Sequence, residues 1–156
     1  MGLDILAVSR IVKKEDGDIL IGENESRCEY KAGEYSPGQG STSSSFRAGS
    51  YSGYNAWRAN LCKLMHGIQP EEMWADPNRW SGAAFQEVID FSDCEGVIGA
   101  RVSKKLYTDF KKHRSQLYQK AIELFSQDDV AHFFAVYDDF TTAFKISADR
   151  GLLIFC

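Results

Sequence analysis

Residues 3–12 are apolar on both of their alternating faces, which is the pattern of a strand buried inside a sheet. A polar turn over residues 13–17 leads to a second short strand predicted over 18–22. Two further strands are predicted where apolar or small residues alternate with others, at Cys28, Tyr30 and Ala32 and again at Phe46, Ala48 and Ser50. The apolar run over 152–155 predicts a strand that returns to the same sheet.

A first helix is predicted over residues 53–66, because Ser52 suits an N-cap and Gly67 suits a helix end. Its inner face would carry Trp57, Leu61, Leu64 and Met65. The stretch between Pro70 and Pro77 predicts a single turn of helix that the second proline stops.

Two longer amphipathic helices are predicted in the second half of the chain. The first spans 103–125, with apolar residues at steps of three, four and seven: Leu106, Phe110, Leu117, Ala121 and Leu124. Ser126 and Asp129 have the spacing of a capping box and open the last helix, which Gly151 ends. The apolar stripe of that helix is Phe133, Tyr137, Phe140 and Phe144.

Two segments are less regular. Residues 34–45 are rich in Gly, Ser, Pro and Thr and predict a mobile loop, since such a composition buries little apolar surface. Residues 83–91 fit both a helix and a strand pattern, and we favour the helix.

Length and composition predict one domain over residues 1–156 with a well-packed core. The chain is 44% hydrophobic and holds 10 Phe, 7 Tyr and 3 Trp, whose rings bury large apolar areas. The order of the predicted elements indicates an α+β fold, in which three or four helices cover a small mixed or antiparallel sheet.

The sequence predicts a cytoplasmic protein without a membrane span, a cofactor or a metal. No run of eighteen apolar residues and no basic leader occurs, and the four cysteines form no C-x-x-C pair. The net charge of −4 is too mild to indicate a dedicated polyanion or polycation partner.

The run from Phe91 to Gly99 is the most distinctive motif, because it joins acidic residues and a cysteine in a glycine-closed turn. Asp90, Asp93 and Glu95 offer the oxygen ligands that calcium or magnesium takes, but the register of a calcium-binding loop would start at Phe91, which has no ligand. We therefore favour a tight turn in which Asp93 caps backbone amides.

Cys94 is a candidate nucleophile, with His66, His113 or His132 as its base. The flanking acids oppose thiolate formation, so a structural role is favoured for it. A small hydrolase-type enzyme that uses Cys94 or the carboxylates of Asp90, Asp93 and Glu95 stays an alternative.

Two pairs of residues are candidate binding groups. Arg47 and Arg58 bracket the start of the first helix and could bind an anion there. Trp74 and Trp80 lie in a charged, proline-bounded segment with few apolar neighbours, which makes them interface candidates.

The helix over 103–125 carries a basic face with Lys104, Lys105, Lys111 and Lys112. Such a face suits contact with phosphates, yet the chain as a whole is acidic, with a pI near 5.4. A solvated helix face is the favoured interpretation, and weak nucleic-acid binding is a further alternative.

Two blocks of sequence, residues 46–58 and 85–96, resemble blocks of small proteins from bacteria and their phages. The order of the blocks resembles that of bacterial immunity proteins linked to polymorphic toxins, in which a Gly-Ser-Tyr-Ser block precedes a Ser-Asp-Cys-Asp-Gly turn. In this chain Glu95 replaces the second acid of that turn. The resemblance implies a non-enzymatic protein that binds and neutralises a toxin, with Asp93 and Glu95 as contacts for a basic toxin surface.

Overall fold

The computed structural model describes residues 2–91 and 95–156. These residues form seven strands: β1 Gly2–Val8, β2 Ile11–Lys13, β3 Ile19–Ile21, β4 Gly33–Pro37, β5 Ser43–Ser50, β6 Gly96–Gly99 and β7 Leu152–Phe155. The same residues form six helices: α1 Tyr51–His66, α2 Pro70–Ala75, α3 Pro77–Trp80, α4 Gln86–Ile89, α5 Ala100–Leu124 and α6 Gln127–Ser147. Because 50% helix and 22% strand occur together with two small antiparallel sheets, the predicted α+β class is confirmed.

The larger sheet has the strand order β5-β1-β7-β6, so β1 and β7 lie in its interior. Ile5 of β1 pairs with Phe46 of β5 on one side and with Phe155 of β7 on the other. The predictions of an internal first strand and of a returning strand over 152–155 are therefore confirmed, but the first strand ends at Val8 and not at residue 12, because the chain turns at Arg10 and enters β2. The smaller sheet has the order β2-β4-β3.

The two faces of the larger sheet bury different cores. Leu3 and Ile5 belong to the main core, which the helices share, whereas Val8 packs with Tyr35 and Leu152 in a second core that involves the smaller sheet. On the second face of β1, Asp4 and Leu6 are only half-buried and Val8 is buried, so the apolar run over residues 3–12 combines β1 with the start of β2.

The main core is built around Trp57 of α1. Its ring stacks on Phe133 and Phe140 of α6, with ring centroids 5.6 and 5.0 Å apart. The indole N–H donates to the carbonyl oxygen of Phe133 at 3.1 Å, and the Tyr137 hydroxyl donates to that of Phe110 at 2.6 Å. These polar atoms are thus satisfied in the core, and the apolar stripe predicted for the last helix is buried.

Helix α1 begins two residues earlier than predicted. Ser50, and not Ser52, is its N-cap, and the Ser50 hydroxyl accepts a hydrogen bond from the Gly53 N–H at 3.0 Å. Gly67 ends the helix with φ at 71°, as predicted, because glycine adopts this left-handed conformation at little cost. Of the predicted inner face, only Met65 is not fully buried.

The two long helices predicted from periodicity are α5 and α6. The Ser126 hydroxyl accepts a hydrogen bond from the Asp129 N–H at 3.2 Å and caps α6, as predicted. The cap of α5 comes from a distant part of the chain, since the Glu29 carboxylate accepts from the N–H groups of Ala100 at 2.7 Å and Arg101 at 3.0 Å.

Several predicted boundaries are wrong. Residues 28–32 form no strand, and the strand lies instead at Gly33–Pro37, where Tyr35 is buried and the backbone pairs with both β2 and β3. The segment 34–45 is accordingly not a loop throughout, since β4 occupies its start and β5 begins at Ser43. Within 83–91 only Gln86–Ile89 is helical, and β6 lies in the segment read as a glycine-closed turn.

Gly151 lies where two backbone segments approach each other closely. A Cβ atom at this position would lie 2.0 Å from the carbonyl oxygen of Val8 and 2.8 Å from the Cα atom of Ser9. Helix α6 already ends at Ser147, so Gly151 does not end the helix as predicted but allows β7 to enter beside β1.

Candidate functional site

The acidic motif after α4 lies only partly in the described structure. Asp93 and Cys94 lie outside the described residues, whereas Asp90 and Glu95 lie within them. The Asp90 carboxylate forms an ion pair with Arg27 and accepts a hydrogen bond from the Gln86 side-chain amide at 3.3 Å. Glu95 is exposed.

Two of the predicted binding residues meet beside this motif. The Arg58 guanidinium group donates to the carbonyl oxygens of Phe91 and of Ile89, the latter at 3.4 Å. It also lies over the Trp74 ring, 5.2 Å from the ring centroid. The structure therefore brings Arg58, Trp74 and the residues around Asp90 together, and Arg58 holds the chain at the end of α4.

The other two predicted binding residues lie elsewhere. Arg47 donates two hydrogen bonds of 2.8 Å to the Asp4 carboxylate, across β5 and β1. This contact is the main cause of the lowered pKa of Asp4. Trp80 is half-buried, with its ring centroid 5.3 Å from that of His66. Arg47 and Arg58 thus engage different parts of the molecule.

The basic face of α5 is less uniform than its sequence indicates. The Lys105 ammonium group contacts Glu87 at 2.6 Å, Asp109 at 2.8 Å and the carbonyl oxygen of Ala83 at 2.5 Å. Lys104, Lys111 and Lys112 are exposed. One of the four predicted phosphate-binding lysines is therefore part of a structural ion-pair cluster.

The candidate bases have different surroundings. The His66 Nε2 atom lies 2.7 Å from the carbonyl oxygen of Ala84, and the His113 ring packs 5.8 Å from the Phe85 ring. His132 is exposed. Among residues 2–91 and 95–156, no group of three or more His, Cys, Asp or Glu side chains is placed to hold a metal ion.

An apolar groove that the periodicity of the sequence does not reveal lies where the end of α5 meets the start of α6. It has a volume of about 450 Å³. Its walls include Tyr118, Ile122 and Phe125 from the α5 side and Gln127, Ala131 and Phe134 from α6. We call this feature the hairpin groove.

Two large apolar side chains in the wall of the hairpin groove, Tyr118 and Ile122, are exposed, and Leu124 is exposed outside its lining. Tyr118 is 41% exposed, Ile122 49% and Leu124 59%. Leu124 was predicted to lie on the buried face of its helix, and that prediction is wrong because α5 ends at this residue and its neighbour Phe125 turns partly inward instead. Six large hydrophobic residues are exposed in the described part of the chain. Three of them thus lie in the last seven residues of α5.

One end of the hairpin groove is held by a bidentate ion pair. Arg114 of α5 donates to both carboxylate oxygens of Asp138 of α6, at 2.8 and 2.9 Å. The same guanidinium group lies 5.1 Å from the centroid of the Phe134 ring, and Tyr118 packs edge-on against that ring at 5.3 Å. These contacts join the two helices at this end of the groove.

A second cavity of about 420 Å³ lies on the other side of Phe125. It is lined by Ala56 and Asn60 of α1 and by Asp129 and His132 of α6, among others. Phe125 lines both cavities. The two cavities therefore adjoin at Phe125, and together they extend from α5 across α6 to α1.

Comparison with protein-family models gave no match, and neither did comparison with curated proteins or with solved structures. Among the helices that the structure describes, none is both long enough and apolar enough to cross a membrane.

Proposed function

We propose that this protein is a non-enzymatic binding module for another protein, and that the hairpin groove is its main contact surface. The observation that carries the proposal is the exposure of Tyr118 and Ile122 in the wall of an apolar groove in the packed helix pair. Contiguous apolar surface of this kind is costly to leave in water, and it is typical of interaction sites.

The surroundings of the groove support a protein partner. Its walls come from two long helices whose buried faces pack in the main core, so a partner would meet a preorganised surface. The exposed Tyr118 and Ile122 side chains offer large contact area close to one another on the helix surface.

The resemblance to immunity proteins supports a toxin as the partner class to test first. In that proposal Asp93 and Glu95 are further contacts for a basic toxin surface. The nearby Asp90, Trp74 and Arg58 enlarge this second contact surface. A cytoplasmic location belongs to the same proposal.

Affinity capture with matched variants tests the proposal. The tagged wild-type protein, Ile122→Gln and Leu20→Gln serve as baits in lysate of the source cell, and mass spectrometry identifies what each bait retains. Ile122 is 49% and Leu20 70% exposed, so both changes remove an exposed aliphatic side chain and leave the core intact.

We expect a stoichiometric protein partner that the wild type and Leu20→Gln retain and Ile122→Gln loses. A partner that all three baits retain equally would overturn the groove as the contact surface. Absence of any stoichiometric protein from the wild-type bait would overturn the binding function itself.

A further inference from the structure

We infer that the hairpin groove accepts a basic amphipathic helix of the partner, an inference that rests on the proposed function. The partner helix would place apolar side chains in the groove and Lys or Arg side chains against the acidic residues around it.

The charge around the groove is strongly negative. Residues 114–139 carry two cations, Arg114 and Lys120, against five acidic residues: Glu123, Asp128, Asp129, Asp138 and Asp139. The formal charge of this segment is therefore −3. A partner of opposite charge is steered toward this surface and is favoured over proteins of like charge. The same surface repels nucleic acids and anionic membranes.

Few cations neutralise this surface. The Lys120 ammonium group donates to the carbonyl oxygen of Leu64 at 3.1 Å and thus caps the end of α1, while Arg114 is paired with Asp138. Asp128 and Asp129 are exposed and appear in no ion pair of the described residues. Burial raises the pKa of Asp139, and the neighbouring Asp138 adds to the shift.

Each wall of the groove is a row of side chains one helical turn apart. Tyr118, Ile122 and Phe125 follow one another at steps of four and three residues, and Gln127, Ala131 and Phe134 do the same on the other wall. Rows of this kind on two packed helices form ridges between which a partner helix lies, with its own anchors three and four residues apart.

The small side chain of Ala131 leaves space in the middle of the groove. It is an exposed small residue in the middle of the α6 wall, between Gln127 and Phe134. A larger side chain at this position would fill the groove from the solvent side without disturbing the core. The variant Ala131→Trp therefore blocks the site selectively.

Two designed peptides test the inference. Both have the same helical pattern of Leu residues, and their polar face is Lys in one peptide and Glu in the other. Fluorescence anisotropy gives the dissociation constant of each for the wild-type protein at low salt and at about 0.3 M salt. We expect the Lys peptide to bind at least roughly tenfold more tightly than the Glu peptide, with a preference that salt reduces.

Three protein variants locate the binding. Ala131→Trp should weaken binding of the Lys peptide at least roughly tenfold. A triple variant with Glu123→Gln, Asp128→Asn and Asp129→Asn should weaken it at least roughly fivefold. The matched control, with Glu15→Gln, Asp18→Asn and Glu23→Gln, changes the net charge equally at exposed sites elsewhere and should leave the affinity within about twofold. Circular dichroism confirms that each variant is folded.

Equal affinity for the Lys and Glu peptides would overturn the basic partner, as would equal effects of the two triple variants. An unchanged affinity in Ala131→Trp would overturn the groove as the place where the helix binds. If capture identifies a partner that depends on Ile122 while the peptides show no charge preference, the binding function stands and only the chemistry of the partner is refuted.

Discussion

The ammonium nitrogen of Lys105 lies 2.6 Å from a carboxylate oxygen of Glu87 and so ties α5 to α4. The Glu87 side chain is only 10% exposed. The same ammonium group contacts Asp109, whose carboxylate also accepts a hydrogen bond from the Phe85 N–H at 3.1 Å. Lys105, which the sequence suggested as a phosphate contact, thus fixes the start of α4.

The variant Lys105→Met should lower the free energy of unfolding by about 2 kcal/mol, because it leaves Glu87 and Asp109 poorly solvated and without their cation. Urea denaturation followed by circular dichroism measures the change. Lys104→Met, at an exposed position on the same helix, should change stability by no more than about 0.5 kcal/mol. If Lys105→Met lowers the free energy of unfolding no more than Lys104→Met does, the ion-pair cluster does not stabilise the fold.

The contact of Arg58 with the end of α4 leads to a second prediction. Arg58→Lys keeps the charge but loses the planar group that stacks on Trp74 and reaches the carbonyl oxygens of Ile89 and Phe91. It should cost about 1 kcal/mol of stability. Hydrogen exchange should become faster at the amides of residues 88–91.

Arg79→Lys is the matched control for this change. Arg79 also lies over a tryptophan ring, 5.0 Å from the Trp80 centroid, but it is exposed and stands on a short helix. Its replacement should leave exchange at residues 88–91 unchanged. Acceleration of the same amides in both variants would contradict a local role for Arg58.

Burial raises the pKa of the Cys62 thiol to about 11, and Glu71 and Glu72 add to the shift. The unfolded thiol loses its proton near its ordinary pKa of 9.0, while the folded protein keeps that proton up to about pH 11. The unfolded state therefore binds fewer protons in this range, so the contribution of Cys62 to stability is complete below pH 9 and is lost as the pH rises to about 11.

The difference in unfolding free energy between wild type and Cys62→Ala isolates this contribution. We expect the difference to shift against the wild type between pH 9 and 11 and to stay constant from pH 6 to 8. At pH 8 iodoacetamide should modify the exposed Cys156 well before the buried Cys62 in the native protein. Equal rates of modification would refute the protection of Cys62.

Gly151→Ala should be strongly destabilising, by about 3 kcal/mol, because the added Cβ would collide with the Val8 carbonyl oxygen. Thermal unfolding measures the loss. Gly22→Ala is the control, since the nearest atom to a Cβ there is a side-chain oxygen of Glu25 at 3.8 Å. If the two variants melt at the same temperature, the close approach at Gly151 is not required for the fold.

The elements that the sequence predicted best are those with strong periodicity. The long helices α5 and α6 and the internal strand β1 bury regular apolar faces, which local spacing reveals. Strand β4 was missed because its Gly, Ser and Pro content resembles a loop. Pairing with a strand on each side holds it in the sheet, and such pairing uses backbone groups that composition does not report.

The candidate site was predictable only in part. Arg58, Trp74 and Asp90 were identified as separate features, and the structure brings them to one region. The hairpin groove was missed because Tyr118 and Ile122 each lie one position after a buried residue, Leu117 and Ala121. Periodicity locates the buried stripe, but it does not tell whether another helix covers the residues at its edge.

The strand order of the larger sheet also bears on how the chain folds. Since β7 lies between β1 and β6, positions 5 and 155 must meet before the middle of the sheet exists. On the ribosome, β1 and β5 can pair early, but β1 keeps one open edge until residues 152–155 have been made. Contacts between such distant positions slow folding, and an open strand edge invites pairing with other chains. During synthesis, the nascent chain is therefore most exposed to aggregation in the interval before β7 emerges.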